Sequence, residues 1–342
     1  MSRRLRILTW HVHGSYLLYL TQAHHEFYLP VKPGRPHPYG GRGGPFPWGD
    51  NLHEVPAEEV RNLDFDCVLF QNRANYLTDQ YEILSPAQRR LPRIYLEHDP
   101  PQQDPVNQRH FVDDPEILLV HVTHFNDLAW DSGRTPTRVI EHGVMVPEGV
   151  RHTGILDRGI VVVNHLARRG RRLGVDIFER ARREVPLDLV GMASDEAGGL
   201  GEIDHDQLPA FEARYRFFFN PIRYTSLGLA VCEAMMIGMP IVGLATTEMA
   251  TAVENGVSGY VHTDLAYLIQ CMRDLGAHPA EARRLGDGAR RAAEQCFDIR
   301  RFAADWDDAF AQVAGGVASY ALPAVQHVSR VAGARPALPQ SA

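Results

Sequence analysis

The sequence predicts an α/β protein made of two doubly wound parallel-sheet domains facing a cleft. Short apolar runs alternate with amphipathic stretches along most of the chain, which reads as parallel sheet with covering helices. Several runs are continuous rather than alternating, the pattern of strands buried on both faces. The alternation also occurs twice, on either side of a break near 144–159 (VMVPEGVRHTGILDRG) that carries Pro, Gly and charge but no apolar period. A length of 342 residues suits about two domains.

The first group of strands is expected at RILTWHV, EFYLPV, DCVLFQ, RIYLEH, ILLVHV and RVIEH. The second is expected at GIVVVNH, LDLVG, FFFN, PIVGL and GYV, with helices such as VDIFERARREV and LGLAVCEAMMIG between them. This places one domain at 1–147, a second at 148–298, a helix at 299–314 and a tail at 315–342. The tail is rich in Ala, Val, Pro and Ser and is expected to be poorly ordered. Residues 32–50 (KPGRPHPYGGRGGPFPWGD) are dense in Gly and Pro and predict a long loop, of the length at which loops are often functional.

Composition excludes several classes. With 35 basic against 42 acidic residues, a net of −7, no general basic excess marks a nucleic-acid surface. No run approaches the roughly 18 apolar residues of a membrane span. The start, MSRRLRILTW, lacks a signal-peptide core, and four widely spaced cysteines suit a reducing compartment, so the expected location is cytoplasmic. Lys32 is the single lysine, and it sits in a Lys-Pro-Gly loop. Schiff-base and Walker-type phosphate chemistry therefore lack their residue, and a long cation on phosphate would be arginine. No Gly-x-Gly-x-x-Gly follows a strand, which disfavours a dinucleotide oxidoreductase.

Residues 223–261 carry the most chemistry. Thr225 or Ser226 is placed to cap a helix that runs through Leu229 to Ile237 and stops at Gly238. Leu227-Gly228 leaves little side chain at the helix entrance, where backbone N–H groups and the helix dipole favour an anion. Glu233 falls about two turns in, with two oxygens able to accept from neighbouring hydroxyls such as those of a ribose. Diphosphate at the entrance and ribose at Glu233 describe a nucleoside diphosphate.

This segment resembles the donor-binding signature of the GT-B glycosyltransferases, especially the retaining enzymes of glycosyltransferase family 4. Glu233-Ala234-Met235, Gly238, Pro240-Ile241-Val242, Glu254-Asn255-Gly256 and Gly259 match that signature in order and spacing. Thr225 stands where the family has the first of two glutamates, which leaves the donor sugar open. The resemblance implies two Rossmann-like domains and transfer of a sugar from a nucleotide-diphosphate donor. It further implies retention of configuration, no metal or other cofactor, and a C-terminal helix packed back across the domains. Expected donor contacts are Gly14, His165, Arg171, Arg172, Thr225, Ser226, Leu227, Gly228, Leu229 and Glu233. Within GIVVVNHLARRGRRLGVD, Arg172 and then Arg171 are the leading candidates for the phosphates, although four arginines in five residues also suit a solvated loop.

His98-Asp99-Pro100, directly after an apolar strand, resembles the family's histidine-acid-proline run near the reacting sugar, so His98 and Asp99 are the catalytic candidates. Ligand groups gather beyond the carboxyl ends of such strands. Gly14 closes the first strand after Trp10-His11-Val12-His13. The expected partners are a nucleotide-sugar donor and a saccharide or glycolipid acceptor, in polysaccharide or lipopolysaccharide assembly. A peripheral membrane association is compatible with such an acceptor, and oligomeric state is left open. Gln71 and the stretch 123–130 face the cleft with no chemistry assigned. Two rivals remain. His11 and His13 share a strand face, as in metal-dependent amidohydrolases built on eight-stranded barrels. Thr225 also suits a catalytically silent nucleotide-sugar binder.

Overall fold

The computed structural model describes residues 3–315. The tail expected at 315–342 thus lies, apart from Gly315, outside the described residues. The first lobe contains strands β1 (Arg6–Thr9), β2 (Glu26–Val31), β3 (Leu52–Pro56), β4 (Cys67–Phe70), β5 (Arg93–Glu97), β6 (Ile117–His121) and β7 (Thr137–Val139). They form one parallel sheet in the order β3-β2-β1-β4-β5-β6-β7. Helices α1 (Gly14–Leu20), α2 (Gln80–Ile83) and α3 (His124–Ala129) belong to this lobe.

The second lobe has β8 (Leu156–Val162), β9 (Leu187–Val190), β10 (Tyr215–Asn220), β11 (Ile241–Leu244) and β12 (Gly259–His262). They are parallel, in the order β12-β11-β10-β8-β9. Its helices are α4 (Leu166–Leu173), α5 (Val175–Ala181), α6 (Leu208–Glu212), α7 (Leu229–Ile237), α8 (Met249–Ala252), α9 (Leu265–Ala277), α10 (Pro279–Cys296) and α11 (Ile299–Ala314). The protein thus consists of two Rossmann-like domains facing a cleft. No helix among the described residues is long and apolar enough to cross a membrane.

The continuous apolar runs became the strands buried on both faces: β4, β6, β10 and β11 are buried at every position. The sequence reading missed β3. Its residues LHEVP form no continuous apolar run because the strand lies at the sheet edge, where Pro56 is tolerated. Strand β8 begins at Leu156, so part of the interdomain break is strand.

Residues 32–50 form no helix or strand, only a bridge between Val31 and Gly40. Glu54 on β3 pins this loop, accepting from Arg35 at 2.8 Å and from the Arg42 amide at 2.6 Å. One apolar cluster joins the lobes, from Leu17 and Leu20 on α1 through Val144 to Met235 and Ile237 on α7. Helix α11 belongs to the same cluster. It sets Phe302 against Tyr16 and Phe310 against Phe27, both in the first lobe.

Candidate active site

The carboxyl ends of β1 and β5 face those of β8, β9 and β10 across a cleft of about 820 Å³. The turns that follow these strands are where open α/β sheets hold ligands. Of the residues singled out from the sequence, Gly14, His98, Asp99, Thr225, Ser226, Leu227, Gly228, Leu229 and Glu233 all line this cleft. His165, Arg171 and Arg172 do not.

Helix α7 carries the second lobe's contribution. Its N-cap is Gly228, in extended conformation, and no side chain caps it. The cap expected at Thr225 or Ser226 is thus corrected: the Ser226 hydroxyl donates across the cleft to the His98 carbonyl at 2.9 Å. A methyl group on Gly228 would meet nothing within 4 Å, so the helix entrance opens onto the cleft. The later start puts Glu233 just over one turn inside the helix rather than two. Gly238 ends the helix with φ of 95°, the left-handed C-terminal turn that glycine permits.

Glu233 is only 7% exposed yet borders the cleft. Burial raises its pKa, while a hydrogen bond from Tyr19 and the nearby His205 oppose that rise.

Arginine reaches the cleft at an unexpected position. Arg171 pairs with Asp176 at 2.6 Å, and Asp176 also binds Arg223 at 2.6 and 2.7 Å, so this cluster is a surface ion pair. Arg172 crosses to the other lobe and donates to Gln102. His165 takes a left-handed conformation (φ 54°) at the N-cap of α4, its amide donating to the Met192 carbonyl. Arg169, within α4, is the member of the arginine run that lines the cleft. No local signal separates it from its neighbours, because a kink at Gly170 (φ 57°) breaks the turn between Arg169 and Arg171.

The first lobe contributes imidazoles. The Gln71 side chain donates to Thr9 Oγ1 at 2.8 Å and to the Trp10 carbonyl at 2.9 Å, which turns its own oxygen toward His98. His98 Nε2 lies 3.3 Å from that oxygen and therefore carries the proton, leaving Nδ1 as the acceptor. Burial first, then His13 and His142, hold His98 well below the usual imidazole pKa, so the ring is neutral. The His13 and His98 ring centres are 4.4 Å apart. His142 donates from Nε2 to the Leu227 carbonyl at 2.8 Å, and burial pushes it down to about 4.

Gln71, His142 and Arg169 are thus site residues that sequence reasoning did not assign. Gln71 had one available signal, an amide closing an apolar strand.

Gly14 lines the cleft as expected, and a Cβ there would fall 2.4 Å from the Phe46 ring, so the residue also makes room for Phe46 from the 32–50 loop. Phe46 reaches the second lobe, with its ring centre 5.1 Å from that of His205. His11 hydrogen-bonds the Gly41 carbonyl at 2.5 Å. The barrel that the His11–His13 rival required is not the fold observed. Among the described residues, no three His, Cys, Asp or Glu side chains are placed to hold a metal ion.

Comparison with known proteins places this geometry. Residues 168–308 match a family model described as "Glycosyl transferase-like". No curated protein sequence matches the chain. A sucrose-phosphate synthase from Thermosynechococcus elongatus superimposes with a TM-score of 0.66 at 15% identity, covering 92% of this chain and 100% of its own. A glycosyltransferase from Rickettsia africae gives 0.63 at 11% identity, over 91% and 99% of the two chains. Anabaena HepE, solved with UDP, gives 0.60 at 14% identity, over 92% and 100%. At these identities the likeness is one of fold, and the fold is the GT-B glycosyltransferase fold.

Proposed function

We propose that this protein is a nucleotide-sugar-dependent glycosyltransferase of the family 4 type. The observation that carries the reading is the uncapped start of α7 opening onto the cleft, with Glu233 just inside it and Arg169 on the same wall. The amides and helix dipole take the diphosphate, Arg169 adds a charge-assisted contact, and Glu233 accepts from the ribose hydroxyls. UDP bound to Anabaena HepE, a protein of the same fold, supports this choice of ligand.

In the reaction, the bond between the anomeric carbon and the diphosphate oxygen breaks and its electron pair leaves with the diphosphate. A bond forms to an acceptor hydroxyl, whose proton passes to the departing diphosphate oxygen. Arg169 and the helix amides stabilise the charge that develops on the leaving group. The resemblance to family 4 carries retention of configuration and the absence of a metal requirement. His98 and Asp99 lie on the opposite wall, where His98 Nδ1 can accept from a sugar hydroxyl. The acceptor is a saccharide or glycolipid, entering between the first lobe and the 32–50 loop, and the work is done in the cytoplasm.

A thermal-shift screen against nucleoside diphosphates and nucleotide sugars, followed by an assay for donor hydrolysis, tests this reading. Stabilisation by one nucleotide family together with slow hydrolysis of its sugar is expected. No stabilisation by any of them contradicts it. Thr225 favours a second reading, a binder without transfer; nucleotide-sugar binding with no hydrolysis or transfer would select it.

A further inference from the structure

The hydroxyl of Tyr19 occupies a junction that none of the contacts above requires. Tyr19 lies in α1 of the first lobe and is 1% exposed. It donates to Glu233 Oε1 on α7 at 2.6 Å, a contact between residues 214 positions apart and between the two lobes. The backbone of Met145, in the segment joining the two sheets, lies near enough to that oxygen to act on its ionisation. The hydroxyl thus ties the first lobe's helix to the carboxylate of the second lobe.

Four groups face Glu233: Tyr19, His205, Cys232 and Glu212. Glu212, on α6, is 1% exposed, and its Oε2 has no hydrogen-bond partner among the described residues. Two carboxyl groups in one desolvated place do not both ionise cheaply. Burial and the charge of Glu233 push Glu212 well above the carboxylate range, so Glu212 is the neutral member. The bond from Tyr19 is the only one made to the Glu233 side chain among the described residues. A phenol that donates to a carboxylate favours the ionised form, and with Oε1 held, Oε2 is left for a ligand.

We infer that Tyr19 is a positioning residue for ribose recognition: its hydroxyl aims Glu233 and makes the ribose contact depend on the first lobe. This rests on the nucleotide reading above, and its test separates the two. Calorimetry on the intact protein compares UDP, GDP, ADP and CDP, then takes the tightest of them with its 2′,3′-dideoxy analogue. Wild type is expected to prefer the ribose form by about tenfold or more. Tyr19→Phe, which keeps the ring in the apolar interface, is expected to lose most of that preference while binding the dideoxy form as wild type does. The loss should be greatest at acid pH, where Glu233 without its donor is first to take up a proton.

A lowered Tm with the preference intact would make Tyr19 merely structural and overturn the inference. Equal binding of both forms by wild type, or no binding of any of the four, would overturn the nucleotide reading and this inference with it.

Discussion

The two walls of the cleft are built by different means. The second lobe's wall centres on one continuous segment, in which Thr225 to Leu229 and Glu233 follow β10 in a single turn and helix, with Arg169 from α4, Gly191 and Met192 after β9, and Glu202 to His205 around it. The first lobe's wall is assembled from separate turns. His13 and Gly14 follow β1, His98 and Asp99 follow β5 with the buried Gln71 of the β4 turn bonded to His98, and Phe46 arrives from the long loop. One wall offers backbone amides, the Arg169 cation and the Glu233 carboxylate, with Glu202 and Asp204 beside them. The other offers imidazoles whose pKa burial lowers, with His98 fixed in its tautomer by Gln71 and His142 by the Leu227 carbonyl. Under the proposed function this difference is a division of labour, with the second wall proposed to hold the nucleotide and the first wall to meet the sugar.

Substitutions on each wall should break that division in opposite ways. The largest effect is expected for His98→Ala: turnover of the donor falls about a hundredfold, while nucleoside diphosphate affinity stays within about twofold. Steady-state kinetics beside calorimetry checks this, and intact turnover would show that His98 only fills space. Arg169→Ala should weaken nucleoside diphosphate binding by about ten- to a hundredfold, the worth of a charge-assisted contact of about 1.5–3 kcal/mol. Arg171→Ala should leave it unchanged, because Arg171 is spent on Asp176 at the surface. Equal effects of the two would erase the distinction between cleft and surface arginines. A smaller effect is expected for Gly14→Ala, whose new methyl group meets Phe46. Such crowding costs about 1 kcal/mol or more and should appear as a lowered Tm with nucleotide affinity kept.

The smallest effect sharpens the view of the first wall. Burial beside His13 and His142 depresses His98, so nitrogen NMR should show its ring neutral, protonated at Nε2, from pH 7 to pH 5. A folded pKa below the unfolded one means that protons bind the unfolded chain better. This ring's contribution to stability is therefore complete above about pH 6.5 and is lost progressively as the pH falls below that. Titration of His98 near pH 6.5 would contradict the assigned environment.

The same contrast explains what was legible in the sequence. The α7 segment could be read because its cues are local: Gly228 and Gly238 bracket the helix, Pro240 precedes the next strand, and Glu233 lies between. Its exact start could not, because Ser226 is drawn away from capping by the His98 carbonyl, a partner 128 positions distant. The first wall was only partly legible for the same reason. Gln71 acquires meaning from Thr9, Trp10 and His98, which meet it only after the sheet has formed. Within the arginine run, composition could not separate Arg169 from Arg171 and Arg172; the turn of α4 and the partners Asp176 and Gln102 do so. Strand β3 escaped notice because an edge strand needs no continuous apolar run.

Calorimetry on Glu233→Ala asks whether Glu233 holds the ribose of a nucleoside diphosphate. Affinity for the best-binding nucleoside diphosphate should fall by about 2–4 kcal/mol, the loss of charged hydrogen bonds to two hydroxyls, while inorganic pyrophosphate binds both proteins alike. Unchanged affinity for the nucleoside diphosphate in a folded Glu233→Ala protein would contradict that role.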